Sequence, residues 1–534
     1  MTSSGGAPLI VEDGGGGCPM SRRRFLQSLG VGAAASAVTL GSPSAAAAAA
    51  LGSSSPRAPG PLTTFGRMFP ALPPFAAAGP ALTAALLDMG RPGGPMDAGD
   101  DLSAGPMRLL NDPSLSANNP NSTFHTAGVT FVGQFLAHDV TFDVGSVMDL
   151  PSDPSQARNG RRASLDLDSV YGAGPVESAH LYDPADKAKL KVESGGRFED
   201  LPRAGDGSAL IADPRNDENL ILSGLQAAFL KFHNRAVDDL RHKAKPKQGD
   251  FAAARQITTR HYQWMLVHEF LPLFVGQAMV DDVLANGRRC YRPNAGAVIP
   301  VEFQAAAFRF GHSMVRPSYR ANLAGNDDGS PFFGFIFDAA AAPNLDPDDL
   351  VGGFRAPRRF IGWQTFFDFG DGQVKPNKRI DTRLSTPLFN LPLHAIGSGD
   401  NPVVLAQRTL LRHVTWSLPS GQDVARAMGV VPLPPEAFAE LAPYGLGLET
   451  STPLFAYVLR EADLVEDGRH LGPVGGRIVA EVFLGLLQLD PDSYLNARPR
   501  WRPTLPTRSG SVTGDFRMVD FLTYAGVDPT SRGQ

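Results

Sequence analysis

The sequence predicts a mostly α-helical protein, in which one large helical domain follows an extended N-terminal arm and carries long loops rich in proline and glycine. Three observations predict this fold class. Segments with apolar residues at helical spacing dominate from about residue 124 onward, strand-like alternation is scarce, and neither a Ser/Gly linker nor a repeat divides the chain. Of its 534 residues, 43% are hydrophobic and 19% are charged, so the chain can bury a large core.

The first 51 residues have the composition of an export signal. Ser21–Gln27 reads SRRRFLQ, and a weakly apolar stretch of Ala, Gly and Ser follows it. Paired arginines before such a stretch are typical of a twin-arginine signal, whereas a transmembrane anchor would be richer in Leu, Ile and Phe. We therefore expect residues 1–51 to direct export to the periplasm or the medium, and we expect no transmembrane anchor.

Charge and cysteine content narrow the range of partners. The net charge is −5 at pH 7 and the chain has no long basic run, which does not support a nucleic-acid partner. The two cysteines are Cys18, which precedes the paired arginines, and Cys290. Cleavage of the signal would leave a single thiol, so neither an internal disulfide nor a disulfide-linked dimer is expected. The oligomeric state otherwise stays open.

Beyond the signal region, the chain divides into an arm and a domain. Residues 52–120 are rich in Pro, Gly, Ala and Asn, and they predict an extended arm with few long helices. Residues 121–534 predict the main domain, because apolar residues recur at helical spacing over 219–240, 258–276 and 474–495. Loops rich in Pro and Gly separate these helices.

Two polar side chains stand inside an apolar run. The segment FVGQFLAHDVTFD places Gln134 and His138 at i and i+4, hence on one face of a helix, with Asp139 roughly 100° around it. A lone histidine in such a run is often a core residue that is hydrogen-bonded to a nearby carbonyl group. An imidazole beside an amide on one face, with a carboxylate on another, suggests two sites back to back.

A second acidic segment is a candidate partner for Asp139. RRASLDLDSVYG, residues 161–172, offers Asp166 and Asp168 at alternate positions. Carboxylates that alternate with backbone carbonyls suit calcium, which takes roughly six to eight oxygen ligands. The alternative is a solvated acidic loop.

Two further segments contribute candidates. In DPRNDENLIL, Arg215 and Glu218 stand at i and i+3 at the start of a helix. Carboxylates are expected there, but a cation opposes the helix dipole and needs another reason. In AAAFRFGHSMVRPSY, His312 follows Gly311, and a glycine lets a flat ligand approach the backbone closely. A core histidine is again the alternative, and a later helical segment adds Arg412.

Taken in order, these segments resemble the animal-type haem peroxidase superfamily, in its secreted bacterial branch, over most of residues 120–495. The resemblance implies bound haem b, with His138 as the distal histidine and Gln134 as its pocket partner. It also implies that Arg215 is the distal arginine and that His312 is the proximal iron ligand.

The same resemblance extends to the haem propionates and to calcium. It places Arg309 and Arg412 at arginines that hold the propionates. It also implies a calcium site between the distal helix and the acidic loop, at positions Asp139, Arg162, Ser164, Asp166 and Asp168. Arg162 stands where many relatives have a threonine, which removes one hydroxyl ligand.

The sequence departs from the family pattern at two places around the haem. No carboxylate lies between Gln134 and His138, where relatives with ester-linked haem carry an aspartate, whereas Glu218 matches the second ester-forming position. The haem is therefore expected to be non-covalent or bound through one ester. Thr409, in the segment RTLLR, stands where the family commonly has an asparagine beside the proximal histidine, and its hydroxyl can accept from the imidazole N–H.

The activity implied by the resemblance is that of a peroxidase. Such an enzyme reduces hydrogen peroxide and oxidises a small reducing substrate, such as a halide or a phenol, for example in the response to oxidative stress. One alternative is a cyclooxygenase-like fatty-acid dioxygenase, although its radical tyrosine would stand at Arg309. The other is a haem-binding or adhesive protein with residual activity, which Thr409 favours. His233, His261 and His268 are interpreted as structural.

Overall fold

The computed structural model describes residues 63–115, 117–243, 249–340, 346–392, 401–508 and 514–534. Over these residues the chain is mostly helical with short strands, so the predicted fold class is confirmed. The predicted signal region, residues 1–51, lies outside the described residues, and so does Cys18.

Fifteen α-helices, α1–α15 in chain order, are present in the described ranges: Pro80–Met89, Pro106–Asn111, Gly128–Val140, Asp168–Tyr171, Leu220–Lys243, Asp250–Met265, Leu271–Val275, Gln277–Asn286, Val301–Ala305, Gly311–Met314, Leu405–Thr415, Gly421–Ala427, Leu454–Glu466, Pro473–Leu489 and Met518–Tyr524. Within the part of the chain that the structure describes, no helix combines the length and the apolar character that crossing a bilayer requires.

The β-structure of the described residues consists of four two-stranded sheets. The eight strands, β1–β8, are Phe65–Gly66, Asn121–Thr126, Glu193–Ser194, Glu199–Asp200, Ile299–Pro300, Ser318–Arg320, Phe333–Phe335 and Pro376–Lys378. β1 pairs in parallel with β5, with Phe65 opposite Ile299, and the pairs β2–β8, β3–β4 and β6–β7 are antiparallel. Strands this short connect one loop to another through a few hydrogen bonds and do not form a layer of the fold.

The three long helices that the apolar spacing predicts are present, with different ends. α5 begins at Leu220, and α14 ends at Leu489, just before a proline. The segment predicted at 258–276 begins earlier, at Asp250, and passes through a π-helical turn at Leu266–Phe270 before α7. Such a turn shifts the helical period locally, which apolar spacing alone does not reveal.

The helices that carry the site candidates meet in the hydrophobic core. α3, which carries His138, packs on α5, and the rings of Phe135 and Phe229 stack across this contact at a centroid distance of 4.6 Å. α10, which carries His312, also contacts α3. α11 supplies Thr409 and contacts α9, the helix just before α10.

The described part of the predicted arm, within residues 63–120, contains α1 and α2 and packs on the helical body. The buried carboxylate of Glu302 in α9 accepts hydrogen bonds from the backbone N–H groups of Met68 and Phe69, each at 3.0 Å. α1 also packs against α11. Because a buried carboxylate requires such donors, this contact fixes the start of the described arm beside α9.

Candidate active site

One cavity of about 320 Å³ brings together most of the residues singled out in the sequence. Its wall includes Gln134, His138, Arg215, Glu218, Arg309, His312 and Arg412. Much of the remaining wall is aromatic or aliphatic, with side chains such as Phe131, Phe274, Phe308, Leu388 and Leu405. A largely apolar cavity with a few convergent polar groups is the usual form of a cofactor or substrate site.

His138 is buried in α3 and is oriented by an amide from the loop before α5. Its Nδ1 lies 3.0 Å from Oδ1 of Asn216, whose Nδ2 donates to Oε1 of Gln226 at 2.9 Å. With the amide group of Asn216 directed to Gln226, Nδ1 of His138 carries the hydrogen, and its Nε2 keeps a free lone pair. Burial, and then the charge of Arg215, lowers the pKa of His138 to about 3, so the ring is neutral near pH 7.

Glu218 is the carboxyl group next to this imidazole. Its Oε2 lies 3.9 Å from Nε2 of His138 and accepts a hydrogen bond from Nε2 of Gln134 at 3.0 Å. Burial raises the pKa of Glu218 to about 8, although Arg215 opposes the shift. Near pH 7 Glu218 is therefore protonated and His138 is not, so Glu218 can act as an acid and His138 as a base.

Arg215 is held at the cavity wall by a buried carboxylate. Its Nε and Nη2 donate to Asp213 at 3.0 and 2.7 Å, and Nη2 also donates to the carbonyl oxygen of His138 at 3.0 Å. The guanidinium lies 4.4 Å from the ring centroid of Phe142. Although burial opposes ionisation, Arg161 and Arg215 hold the pKa of Asp213 well below its usual range. The arginine predicted from the sequence is thus fixed beside His138.

His312 lies in α10 with its ring partner on α11. Nδ1 of His312 is 3.2 Å from Oγ1 of Thr409, and that hydroxyl donates its one hydrogen to the carbonyl oxygen of Leu405 at 3.0 Å. The hydroxyl can therefore only accept from His312, so Nδ1 carries the ring hydrogen and Nε2 is available as a ligand. Next to it, a Cβ on Gly311 would meet no protein atom within 4 Å, which leaves open space in the cavity wall.

Three arginines line one part of the cavity wall. Arg309 and Arg412 are joined there by Arg408, and Asp143 is hydrogen-bonded to Arg412. Burial, and then the charges of Arg412 and Arg408, lowers the pKa of Arg309 to about 9. Together with two neutral imidazoles, these guanidinium groups fit haem b, which offers an iron and two propionates.

The three predicted acidic calcium ligands are also brought together. Asp139, Asp166 and Asp168 each place an oxygen within 4.8 Å of the others. Oδ1 of Asp168 is buried and has no hydrogen-bond partner among the described residues, and burial raises the pKa of Asp168 to about 7. Buried carboxylates in close contact call for a cation or a proton, and hard oxygens fit calcium.

The other two predicted calcium-site residues lie differently. Ser164 donates its hydroxyl hydrogen to Oδ2 of Asp490 at 3.3 Å and not to one of the three carboxylates. Arg162 donates from Nη1 to Oδ2 of Asp166 at 2.6 Å. A guanidinium has no lone pair to offer a metal, so Arg162 contributes charge to this cluster and not a ligand.

Asn216, Arg408 and Asp143 are site residues that the sequence analysis did not single out. Arg408 carries a local signal, because RTLLR places it one helical turn before Arg412. Asn216 and Asp143 carry none, since their partners His138 and Arg412 lie 78 and 269 positions away along the chain.

The histidines interpreted as structural lie outside the cavity wall. Nδ1 of His233 is 3.1 Å from the hydroxyl of Tyr171, and Nδ1 of His261 is 2.7 Å from the carbonyl oxygen of Ile257. The ring of His268 stacks on Trp264 at a centroid distance of 3.7 Å.

Comparison with known sequences adds independent information. Residues 143–331 match the family model described as animal haem peroxidase. Peroxidase mlt-7 of Caenorhabditis elegans is 29% identical over 196 residues, which are 34% of this chain and 27% of that protein. Chorion peroxidase of Aedes aegypti is 30% identical over 173 residues, 29% of this chain and 22% of that protein. The chain thus matches about a quarter of the length of these two relatives.

Comparison with solved structures extends over more of the chain. Peroxidase A from Dictyostelium discoideum superposes with a TM-score of 0.55 and 16% identity, covering 82% of this chain and 89% of that one. Fatty acid alpha-dioxygenase of Oryza sativa superposes with a TM-score of 0.51 and 17% identity, covering 72% of this chain and 73% of that one. At these identities the likeness establishes a shared fold.

Proposed function

We propose that this chain, whose residues 143–331 match the animal haem peroxidase family model, is a haem-dependent peroxidase of that superfamily. It reduces hydrogen peroxide and oxidises a small reducing substrate such as a halide or a phenol. One observation carries this proposal: two buried neutral imidazoles, those of His138 and His312, share the wall of one cavity with Arg309 and Arg412.

The haem would be held by groups already oriented for it. His312 would ligate the iron through Nε2, because Thr409 occupies Nδ1. Arg309, Arg408 and Arg412, which line one part of the cavity wall, would bind the two propionates through charge-assisted hydrogen bonds. Bound haem supplies the two-electron chemistry by which the oxygen–oxygen bond of peroxide is broken.

The distal residues move and hold the protons of that reaction. His138 accepts the proton of the bound peroxide at Nε2 and returns it to the leaving oxygen, which departs as water. Arg215 stabilises the negative charge that develops as the bond breaks. Glu218, protonated and hydrogen-bonded to Gln134, adds no negative charge that would repel the peroxide.

Attachment of the haem is proposed to be non-covalent or through a single ester. Ala137 precedes His138 on the distal helix, so the segment from Gln134 to His138 offers no carboxyl group for one of the two links. The carboxyl group of Glu218 lines the cavity and is the candidate for the other. Acid–acetone extraction separates the cases, because ester-linked haem stays with the peptide that contains Glu218 and adds its mass to it.

Three proposals concern the rest of the chain. Residues 1–51 are proposed to act as a twin-arginine signal that delivers the protein to the periplasm or the medium. Residues 121–534 are proposed to form the peroxidase domain, with the described part of the arm at 52–120, residues 63–115 and 117–120, packed on it. Calcium is proposed to bind at Asp139, Asp166 and Asp168, whose oxygens are the hard ligands it takes.

A fatty-acid dioxygenase is the second candidate, because a solved fatty acid alpha-dioxygenase shares the fold. Against it, the position three residues before His312 is Arg309, which lies among other arginines and offers no phenol for a radical. Oxygen consumption with palmitate, measured without peroxide, separates the two functions. Oxygen consumption that is absent from the wild type and appears only in Arg309→Tyr would leave the peroxidase as the activity of this chain.

The absorption spectrum of the haem-loaded protein, before and after addition of hydrogen peroxide, tests the proposal. In wild type we expect a Soret band that shifts with peroxide. His138→Ala should keep the band and lose the shift, and His312→Ala should lose or displace the band. His180→Ala, an exposed histidine, is the matched control and should behave as wild type. A Soret band that ignores peroxide in the wild type would favour a haem-binding or adhesive role instead.

A further inference from the structure

The acidic loop, residues 161–172, is hydrogen-bonded to Asp139 of α3 and contains two arginines, Arg161 and Arg162. We propose that Arg162 is a tethered cation that competes with calcium for this loop, so that the loop keeps its shape at low calcium. The inference rests on the proposed calcium site and is independent of haem and of peroxide chemistry.

Arg162 bridges two of the three clustered carboxylates. Its backbone N–H donates to Oδ2 of Asp168 at 3.1 Å, and its Nη1 donates to Oδ2 of Asp166 at 2.6 Å. The side chains of Arg162 and Asp166 are only 22% and 20% exposed, so solvent screens this ion pair less than it screens a surface pair. The guanidinium lies where a cation bound to Asp166 would compete with it.

Two more arginines complete the charge balance of the cluster. Nη2 of Arg255 lies 3.5 Å from Oδ2 of Asp166, and Nη1 of Arg161 lies 3.6 Å from Oδ1 of Asp168. Arg161 is shared with Asp213, which also binds Arg215. The connected group therefore contains four carboxylates, Asp139, Asp166, Asp168 and Asp213, and four guanidinium groups, Arg161, Arg162, Arg215 and Arg255. Its nominal charge is zero (4 − 4), and a calcium ion would add two charges.

Asp139 has donors that need no metal. Its Oδ2 accepts from the backbone N–H of Leu167 at 3.3 Å and from the hydroxyl of Tyr262 at 3.1 Å, and its Oδ1 accepts from Ser169 at 2.9 Å. Leu167 and Ser169 connect α3 to the acidic loop directly, and Tyr262 connects α3 to α6. The orientation of the helix next to His138 is therefore fixed without an ion.

Calcium binding then requires an exchange. Oδ2 of Asp166 already accepts from Nη1 of Arg162, and Oδ1 accepts from the backbone N–H of Asp168. A calcium ion that takes this carboxylate as a ligand therefore competes with the guanidinium. A guanidinium stays charged at every physiological pH and, being part of the loop, is present at a high effective concentration. Removing it should expose Asp166 and strengthen calcium binding.

The test compares calcium binding by the full chain after dialysis against EGTA. Calcium is titrated into wild type, Arg162→Gln, Arg162→Lys and Arg158→Gln, and the dissociation constant is measured by calorimetry. Arg162→Gln should bind roughly tenfold or more tightly than wild type, as expected for loss of one nearby repulsive charge. Arg162→Lys should stay close to wild type, because it keeps the charge. Arg158→Gln is the control, since Arg158 is exposed.

Thermal unfolding of the haem-free protein supplies the second measurement. The midpoint of wild type should rise with calcium by less than that of Arg162→Gln, because the variant is expected to bind calcium more tightly. Wild type that retains one calcium through EGTA dialysis would overturn the proposal, and so would equal affinities of wild type and Arg162→Gln. Should Arg162→Gln fail to fold in either buffer, the calcium content of wild type decides alone. Because no readout uses peroxide, failure here and failure of the proposed peroxidase are distinguishable.

Discussion

Oγ1 of Thr409 lies 3.2 Å from Nδ1 of His312, and the same hydroxyl gives its hydrogen to the carbonyl oxygen of Leu405. The imidazole of His312 therefore has a fixed tautomer and a fixed acceptor. A neutral hydroxyl is a weak hydrogen-bond acceptor, so it increases the basicity of the His312 ring only slightly. Nε2 of His312 is therefore a weaker electron donor than it would be beside a stronger acceptor.

Replacement of this acceptor should change both stability and redox behaviour. Thr409→Val keeps the shape but leaves the buried N–H of His312 unpaired, which should cost about 1 to 3 kcal/mol of unfolding free energy. Urea unfolding of the haem-free protein measures this cost. Thr409→Asn should lower the reduction potential of the haem-loaded protein and speed its reaction with peroxide, because an amide oxygen is a better acceptor. An unchanged potential and an unchanged rate would contradict this role.

The amide of Asn216 should control the proton acceptor of the reaction. Asn216→Leu removes the acceptor for Nδ1 of His138, and we expect the rate with peroxide to fall roughly tenfold or more. Asn216→Asp places a carboxylate there, which should raise the pKa of His138 from about 3 and move the acidic limb of the rate to higher pH. Stopped-flow absorbance between pH 3 and pH 8 measures both effects. Asn286→Leu, at an exposed asparagine, is the control.

Glu218 should make the haem-free protein less stable as the pH rises. Burial raises its pKa to about 8 from an ordinary value of 4.5, so its contribution to stability is complete below pH 4.5 and is lost as the pH rises through 8. The loss amounts to a few kcal/mol, since one pKa unit corresponds to about 1.4 kcal/mol. Glu218→Gln removes the ionisable group and should unfold at higher urea than wild type at pH 9.

The comparison at pH 4 supplies the contrast for this prediction. At that pH Glu218 is protonated in both the folded and the unfolded state, so wild type and Glu218→Gln should differ little. Glu436→Gln, at an exposed position, should follow wild type at both pH values. Identical pH profiles for wild type and Glu218→Gln would show that the carboxyl group is solvated in solution.

Arg408 should contribute to haem affinity through a propionate. Arg408→Leu is expected to weaken haem binding roughly tenfold to a hundredfold, as for loss of a hydrogen bond to a charged group worth about 1.5 to 3 kcal/mol. Haem titration followed in the Soret region measures the affinity, with Arg426→Leu, an exposed arginine, as control. Haem dimethyl ester lacks the carboxylates, so wild type and Arg408→Leu should bind it equally. A difference that persists with the ester would assign Arg408 a packing role.

Local sequence patterns could predict the parts of this site that lie on one element. Gln134 and His138 share a helix face because their spacing requires it, and His312 follows a glycine that leaves open space beside it. The alternating aspartates, Asp166 and Asp168, are likewise within one short segment. For the same reason the long apolar helices, such as α5 and α14, could be predicted with only their ends misplaced.

Contacts between distant segments could not be predicted in this way. The partner of His138 is Asn216, 78 residues later, and the countercharge of Arg412 is Asp143, 269 residues earlier. No periodicity records such pairs, because they depend on how the helices pack. The π turn at Leu266–Phe270 could not be predicted for a related reason, because it shifts the helical period and the apolar pattern reflects only the regular period.

The hydrogen bonds from Met68 and Phe69 to Glu302 can form only after Glu302 has been synthesised. The two donors leave the ribosome more than 230 residues before their acceptor, which lies 10 positions ahead of His312. Until that acceptor emerges, the nascent arm has no carboxylate to dock on. Docking of the arm on α9 therefore waits for Glu302, and a protease that cuts after Phe69 would remove both donors at once.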